Sequence, residues 1–429
     1  MRVLLVNTSE QSGGAAIAAS RLSAALNRFG VEARLLVRDK QSALATTVAL
    51  PQRCRLRGAF LWERLCLWAA NGFSRKGLWS VDIANAGVDI SRHPAFREAD
   101  VIHLHWVNQG LLSMRTLDGI LHSGKPVVWT LHDMWPVTGI CHHAADCRHY
   151  HSCCHDCPQL QRPGASDWSA TVFGQKVKAY AGAPLTFVAV SRWMAERARE
   201  SALTAGHEVA TIPNTLPLGA FEALPRQEAR RRLGLPAAAR VVAFGAARID
   251  NAMKGLPRLM AALGRLASTP GAAPLHLLLF GGVKDAALLR QAPCPTTYLG
   301  PVAGPEALSG VYSASDVLVN SSDYETFGQT IIEAMACGCT PVSFDRGGQT
   351  DIISHRIDGY LARFGDIDDL ACGIRWALEA RLPADVLRQS VASRYSEEAV
   401  ARQHIQLYER LLGQTGRGSH QLKEEYTHD

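Results

Sequence analysis

The chain has 429 residues, of which 47% are apolar, 20% charged and 7% aromatic. That balance excludes a disordered or fibrous protein, and at roughly 150 residues per domain it leaves room for two or three separate cores. Forty-five Lys and Arg against 39 Asp and Glu leave a net charge of +6, too small a surplus over this length to mark a nucleic-acid binder. No apolar run reaches the roughly 18 residues that span a bilayer. The opening Met1-Arg-Val-Leu-Leu-Val6 passes directly into Asn7, Thr8 and Ser9, too short for the apolar stretch of an export signal. The expectation is a cytoplasmic protein, peripheral at most at the inner face of a membrane.

Residues 3–6 read as a buried strand, Ser12-Gly13-Gly14-Ala15 as a turn, and Ile17, Leu22, Leu26 and Phe29 as one helix face closed by Gly30. A second strand follows at 31–37. Strand, glycine turn, helix, strand is how a doubly wound parallel sheet begins, and the apolar runs 101–106, 127–131 and 186–190 extend it. After the Pro-broken stretch 212–217, a charged helix at 226–233 opens a second cycle, with strands at 241–245, 275–280, 298–299, 317–320 and 340–344. The expected division is a first domain at 1–215 with a Cys-rich insert at 141–157 and a second domain at 216–395. A helix at 396–412 then returns to the first domain, and a loose tail closes the chain at 413–429. Asp366-Ile-Asp368 precedes an apolar helical run and reads as a helix start rather than a metal pair.

Asp323-Tyr-Glu-Thr-Phe-Gly-Gln-Thr-Ile-Ile-Glu-Ala-Met-Ala-Cys-Gly338 follows the strand run 317–320. It therefore stands at the carboxyl end of a parallel strand, where such sheets bind ligands. Thr326 reads as a helix N-cap and Gly338 as the stop. That leaves the backbone N–H groups of Phe327, Gly328 and Gln329 to meet an anion. Glu325 precedes the helix and Glu333 lies two turns inside it, a spacing that lets two carboxylates accept hydrogen bonds from different parts of a sugar-bearing ligand. Arg248 and Lys254 follow the strand run 241–245. A guanidinium fork and a point charge suit a diphosphate, although two cations six residues apart are more often simply solvated. Beside the helix start they form a leaving-group site.

Gly13-Gly14, Arg248 with Lys254-Gly255, Glu325-Thr-Phe-Gly with Glu333-Ala-Met-Ala-Cys-Gly338, Pro341-Val342 and Gly347-Gly348 together resemble glycosyltransferase family 4 over nearly the whole chain. The resemblance implies an α/β chain of GT-B fold: two Rossmann-like doubly wound domains facing across a cleft, with a C-terminal helix crossing back. It implies a retaining hexosyltransferase that uses a nucleoside diphosphate sugar and needs no metal for catalysis; the acceptor is read as a glycan or lipid-linked saccharide hydroxyl, the lipid link resting on the basic and aromatic stretch that begins at Arg53. By the same resemblance Glu325 contacts the transferred sugar, Glu333 the ribose, and Arg248 and Lys254 the diphosphate. Gly13 and Gly14 approach that diphosphate from the other domain, and the stretch from Tyr298 to Val302 lies where the base is held. A sugar-nucleotide epimerase and a non-catalytic sugar-nucleotide-binding scaffold are the rival readings; the complete set of cations and glutamates speaks against the scaffold.

His132 and Asp133 follow the run 127–131, where the resemblance places an active-site histidine near the transferred sugar; Asp133 is an acceptor-side candidate. His105 and Trp106 end the run 101–106 and are acceptor-side candidates, with a purely structural role for His105 equally open. The insert carries Cys141, Cys147, Cys153, Cys154 and Cys157 among several histidines. Cys141, Cys147, Cys154 and Cys157 are a donor set for a structural zinc, with free buried thiols or a redox pair as the alternatives. Similar Cys-bearing loops occur in family members of bacterial exopolysaccharide synthesis. Arg53, Arg55 and Arg57 precede Phe60, Trp62, Trp68, Phe73 and Trp79. That mixture suits contact with an anionic membrane surface, against a helix packed on its domain with a basic outer face.

Overall fold

Strands that are apolar on both faces need a sheet covered on both sides, and such strands organise this chain. The computed structural model describes residues 1–268 and 274–425, with side chains to residue 414. It divides into two units, residues 1–213 with 400 onward, and residues 214–399.

Among the described residues, unit 1 has a seven-stranded parallel sheet: β1 (Arg2–Ser9), β2 (Glu32–Asp39), β3 (Thr47–Ala49), β4 (Val101–Leu104), β5 (Val127–Leu131), β6 (Leu185–Ala189) and β7 (Glu208–Thr211). Their order is β3-β2-β1-β4-β5-β6-β7. Unit 2 has six: β8 (Arg240–Arg248), β9 (Leu275–Gly282), β10 (Thr296–Tyr298), β11 (Val317–Asn320), β12 (Thr340–Phe344) and β13 (Tyr360–Ala362), ordered β10-β9-β8-β11-β12-β13. In each sheet the winding reverses beside the first strand, between β1 and β4 and between β8 and β11. Those switch points are where doubly wound sheets bind ligands.

The helices of unit 1 are α1 (Gly14–Arg28), α2 (Arg53–Ala70), α3 (Pro94–Glu98), α4 (Met114–Leu121), α5 (Trp168–Tyr180) and α6 (Arg192–Arg199). Those of unit 2 are α7 (Arg226–Arg232), α8 (Leu256–Ala267), α9 (Pro305–Ala314), α10 (Gln329–Ala336), α11 (Gln349–Ile352), α12 (Ile367–Ala380) and α13 (Ala384–Tyr395), and α14 (Glu397–Glu425) closes the chain. Local chemistry starts several of them. Ser113, Asp167 and Ser191 accept from backbone N–H groups at the heads of α4, α5 and α6. Asp366 caps α12 by accepting from Asp369 N, so the acidic pair is a helix start.

Period-two alternation divides the core of unit 1. Leu4 and Val6 pack with Leu56, Leu117 and Phe173 on one face, while Val3 and Leu5 pack with Leu22, Leu26, Leu407 and Tyr408 on the other. Each such Leu contributes roughly 1.5–3 kcal/mol of burial, so α14 is held to unit 1 by its apolar stripe. That helix does not stop at Leu412 as expected but continues to Glu425. Adding a turn to a helix already nucleated by packing is cheap, and no proline interrupts 413–425. The rest of the expected loose tail, 426–429, lies outside the described residues. The sheet edges β3, β7 and β13 carried no legible pattern: they are only three or four residues long, and β3 and β7 are largely half-exposed or exposed.

Candidate functional site

Lys254 ends a short turn after β8, and Glu325 lies five residues beyond the end of β11. The two strands are neighbours at the switch point of unit 2, so their following loops meet. Lys254 Nζ donates to Glu325 Oε1 across 2.7 Å. Gly255 allows that approach: its φ is +73°, and a Cβ there would stand 2.0 Å from the Ser321 carbonyl oxygen. Glu325 Oε1 also accepts from the Ser322 hydroxyl at 2.8 Å and the Asn320 amide at 3.5 Å. Burial alone would push the Glu325 carboxyl up. Lys254, Ser322 and Asn320 together outweigh it and hold the group below the ordinary carboxylate range, so Glu325 is ionised at neutral pH.

Thr326 is not the expected cap. The helix α10 begins at Gln329, with Gly328 at φ +115° as its N-cap. The reason lies in the loop after β12: Gly348 N donates to Glu325 O at 2.7 Å, and a Cβ on Gly348 would stand 2.2 Å from Thr326 O. The Gly347-Gly348 turn is thus pressed against the backbone that a first helical turn would coil into. Phe327 is 3% exposed, with its ring edge-on to Tyr395 at 5.5 Å. Its side chain is an anchor, while the backbone N–H groups of Phe327 and Gly328 bond to no other described residue.

The two candidate cations are not treated alike. Lys254 joins Glu325, whereas the Arg248 fork is occupied by Asp250, Nε to Oδ1 at 3.0 Å and Nη2 to Oδ2 at 2.8 Å. The Arg248 and Lys254 side chains share no partner, so the structure brings only one of the two to Glu325. Glu333 is buried in α10 and accepts from the Tyr312 hydroxyl at 3.0 Å. Val302 stands half-buried beyond β10. In unit 1, Gly13 and Gly14 head α1 in an exposed turn after β1.

Also in unit 1, the loops after β4 and β5 bring His105 and His132 together, Nδ1 to Nε2 at 2.8 Å. They belong to a stack: the His103 ring lies 4.3 Å from His105 and 5.6 Å from His404. His103 is held by Thr130 Oγ1 at 2.7 Å and Tyr408 Oη at 2.6 Å. Burial drives the whole stack neutral, His103 and His105 far below the ordinary histidine value and His132 and His404 to about 4.

Asp133 faces a different network. Its Oδ2 accepts from Trp106 Nε1 at 2.8 Å and pairs with His142 Nδ1 at 2.7 Å. His142 Nε2 pairs in turn with Asp82 Oδ2 at 2.7 Å, and Arg64 of α2 pairs with Asp82. Burial opposes a charge on His142, but Asp133 and Asp82 prevail and raise it to about 10. Against burial, His142 holds Asp133 down to about 2. His142 escaped sequence reasoning because it is one of several histidines in the Cys-rich insert, with no local signal to set it apart. Two carboxylates claim it, Asp133 nine residues before it and Asp82 sixty residues before it.

Cys141, Cys147, Cys154 and Cys157 line one small pocket, and burial pushes Cys141 and Cys154 to about 12 and Cys157 to about 11, as protonated thiols. Their donor chemistry suits zinc, but among the described residues no three His, Cys, Asp or Glu side chains converge as a metal site requires. Cys153 is exposed. On α2, Leu56, Ala59, Glu63 and Leu67 are buried, while Leu61, Trp62, Leu65 and Trp68 face outward. The outer face is therefore apolar, with the cations at the first turn. No described helix is long and apolar enough to cross a membrane.

Two family models match the chain: "Glycosyltransferase Family 4" over residues 12–219 and "Glycosyl transferases group 1" over residues 239–380. The chain is 32% identical over 154 residues to a GDP-mannose-dependent alpha-mannosyltransferase of Mycolicibacterium smegmatis, a match covering 35% of this chain and 40% of that protein. It is 38% identical over 156 residues to a D-inositol 3-phosphate glycosyltransferase of Stackebrandtia nassauensis, covering 33% of this chain and 34% of that protein. The matched stretches thus span well under half the length of either relative. Among solved structures, Anabaena HepE in complex with UDP and glucose superposes with a TM-score of 0.63 at 18% identity, covering 96% of this chain and all of that one. WaaG, a glycosyltransferase involved in lipopolysaccharide biosynthesis, superposes with a TM-score of 0.61 at 14% identity, covering 95% and 99%. Identities this low speak for the fold alone, two Rossmann-like α/β units of the GT-B type. With the motifs at the switch points and both family models in agreement, the chain belongs to glycosyltransferase family 4.

Proposed function

We propose that this protein moves a hexose from a nucleoside diphosphate sugar to a hydroxyl of a glycan or lipid-linked oligosaccharide, with retention at the anomeric carbon, in the building of a bacterial cell-surface polysaccharide. The Lys254–Glu325 pair at the switch point of unit 2 carries the reading. A departing diphosphate needs oriented positive groups, and Lys254 with the uncommitted amides of Phe327 and Gly328 offers them beside an ionised carboxylate that accepts from sugar hydroxyls. Arg248 joins them when its fork leaves Asp250. Glu333, anchored by Tyr312, takes the ribose; Val302 borders the base, and Gly13 and Gly14 approach the diphosphate. Neutral His132 hydrogen-bonds the transferred sugar, with His105, Trp106 and Asp133 on the acceptor side.

Retention follows when the acceptor hydroxyl enters on the face the diphosphate leaves and gives its proton to a diphosphate oxygen. This chemistry draws on protein cations and amides and requires no catalytic metal. In the Cys-rich insert Cys141, Cys147, Cys154 and Cys157 would hold a structural zinc as thiolates, stapling a loop with few apolar residues. The exposed aromatic row of α2 makes peripheral contact with the inner face of a membrane.

Thermal shift against a panel of UDP- and GDP-sugars, followed by product analysis on the best binder, tests the reading. Transfer to an added acceptor with the anomeric configuration kept is the expected result. An altered free sugar formed without acceptor points to an epimerase, and binding without turnover to a scaffold; either overturns the proposal.

A further inference from the structure

A cavity of about 750 Å³ in unit 1 shares no lining residue with the histidine stack or the His142 network. One face of α2 forms a wall through Arg55 and Trp62, the head of α4 contributes Arg115, α5 contributes Trp168 and Gln175, and the loop 83–87 closes it. Arg55 and Arg115 come from different helices, and neither side chain hydrogen-bonds with another described residue; Arg55 attracts the exposed Asp89 carboxylate only through space, as one of several groups that lower its pKa. The N–H groups of Asn85, Ala86 and Gly87 likewise donate to no described residue. Their loop is held in place at some cost. Ala84 sits at φ +47°, and the buried Glu63 carboxylate accepts from Ile83 N at 2.8 Å and Ala84 N at 2.7 Å. A strained segment over-determined by a buried carboxylate is a mark of a working surface.

The remaining wall says what kind of ligand this is. Beside the cavity, α2 presents Leu61, Leu65 and Trp68 to solvent, 64%, 49% and 37% exposed, in a row at helical spacing. Positive charge thus lies at one end of α2 and an uncovered apolar row along its length, complementary to a molecule with a phosphate head and a hydrocarbon tail. We propose that the cavity is a headgroup site for a phosphate-bearing membrane lipid. Arg55, Arg115 and the amides of 85–87 take the phosphate, and the row 61–68 lies in the lipid surface. The inference rests on the peripheral membrane contact proposed above and gives that contact a specific pocket.

The test is cosedimentation of the full chain with phosphatidylcholine vesicles with and without phosphatidylglycerol, comparing Arg55→Gln/Arg115→Gln with Arg53→Gln/Arg57→Gln. Both pairs remove the same charge, and diffuse attraction is worth roughly five-fold per cation, so without a pocket both lose affinity alike. With the pocket, Arg55→Gln/Arg115→Gln loses about ten-fold more, and the difference persists at high salt, where diffuse attraction is screened. Trp62→Ala, at the cavity's outer wall, is an independent variant expected to weaken binding in the same way. Equal losses in the two pairs, or no vesicle binding by the unaltered chain, overturn the proposal. So does binding of glycerol phosphate or inorganic phosphate as tight as that of vesicles, which makes the pocket a site for soluble phosphate. The melting shift of the unaltered chain with UDP or GDP is read on the same sample, so failure of the lipid site and failure of the donor-binding reading are told apart.

Discussion

Lys254 and Glu325, seventy-one positions apart, share a hydrogen bond of 2.7 Å because β8 and β11 are adjacent at the point where the sheet's winding reverses. Replacing Lys254 with Ala removes one oriented charge stabiliser, and turnover is expected to fall roughly 10²–10³-fold. The same change strands an ionised Glu325, so Glu325→Gln placed on top should cost less stability than it does alone. A double-mutant cycle on melting checks this, with an interaction of about 0.5–3 kcal/mol expected for residues in contact. Additive effects would mean that the pair is not formed in solution.

Gly348→Ala should damage the site without touching a charged group. A Cβ there meets Thr326 O at 2.2 Å, which is backbone and cannot rotate away. The 325–327 segment must shift, at a cost of about 1–3 kcal/mol for overpacking. Donor affinity measured calorimetrically should drop together with the melting temperature. Unchanged affinity would show that the glycine pair does not position Glu325.

His142 gives a pH signature of definite sign. Its folded value, about 10, lies above the ordinary 6.5, so its stabilisation is complete below pH 6.5 and is lost as pH rises toward 10. Removing one partner of a buried charge network costs about 3–5 kcal/mol. The stability gap between the unaltered chain and His142→Gln, from denaturant titrations, should be of that order at pH 6 and narrow steadily above it. A gap that is constant with pH would mean His142 is neutral in the folded protein.

The neighbouring histidine stack behaves in the opposite sense. His132 is buried as a neutral ring with its value lowered to about 4, so the unfolded chain takes up its proton first as pH falls. Stability therefore declines below pH 6.5 and the decline levels off near 4, at up to about 1.4 kcal/mol per pH unit for each such histidine. His132→Gln should remove one proton's worth of that slope in melts between pH 6.5 and 4. An unchanged slope would assign the acid sensitivity elsewhere in the stack.

The insert is settled by metal analysis. Protein purified without chelator is expected to carry about one equivalent of zinc, lost in Cys141→Ser and Cys154→Ser along with much of the fold around 141–157. Metal-free protein with the same melting temperature before and after chelation would leave buried thiols as the whole account of these cysteines.

Much of the site was legible because its signals are local. Strands β11 and β12 coincide with their apolar runs, and the loops after them carry Glu325 and Gly348. In the other sheet β5 does the same for the loop that carries His132. Each parallel sheet sends its own such loops to one edge whatever their separation along the chain. Signals that needed a partner from elsewhere were not legible. Thr326 had every local property of a cap and lost the position to Gly328, because Gly348 occupies the space its helical turn would fill. A local partner was missed as well: Asp250, two residues on, claims the Arg248 guanidinium. His142 was one of several histidines in the insert, and its partner Asp82 comes from sixty residues away.

By itself, then, the order of residues determined the two alternating α/β units and the loops that bear chemistry, since hydrophobic period and turn chemistry act over a few neighbours, while the family was read from the resemblance of its motifs. Tertiary structure alone decided which charges meet and which ring stays neutral. It also decided where the apolar row of α2 lies uncovered. Pairing and desolvation depend on distance through space, which sequence separation does not record.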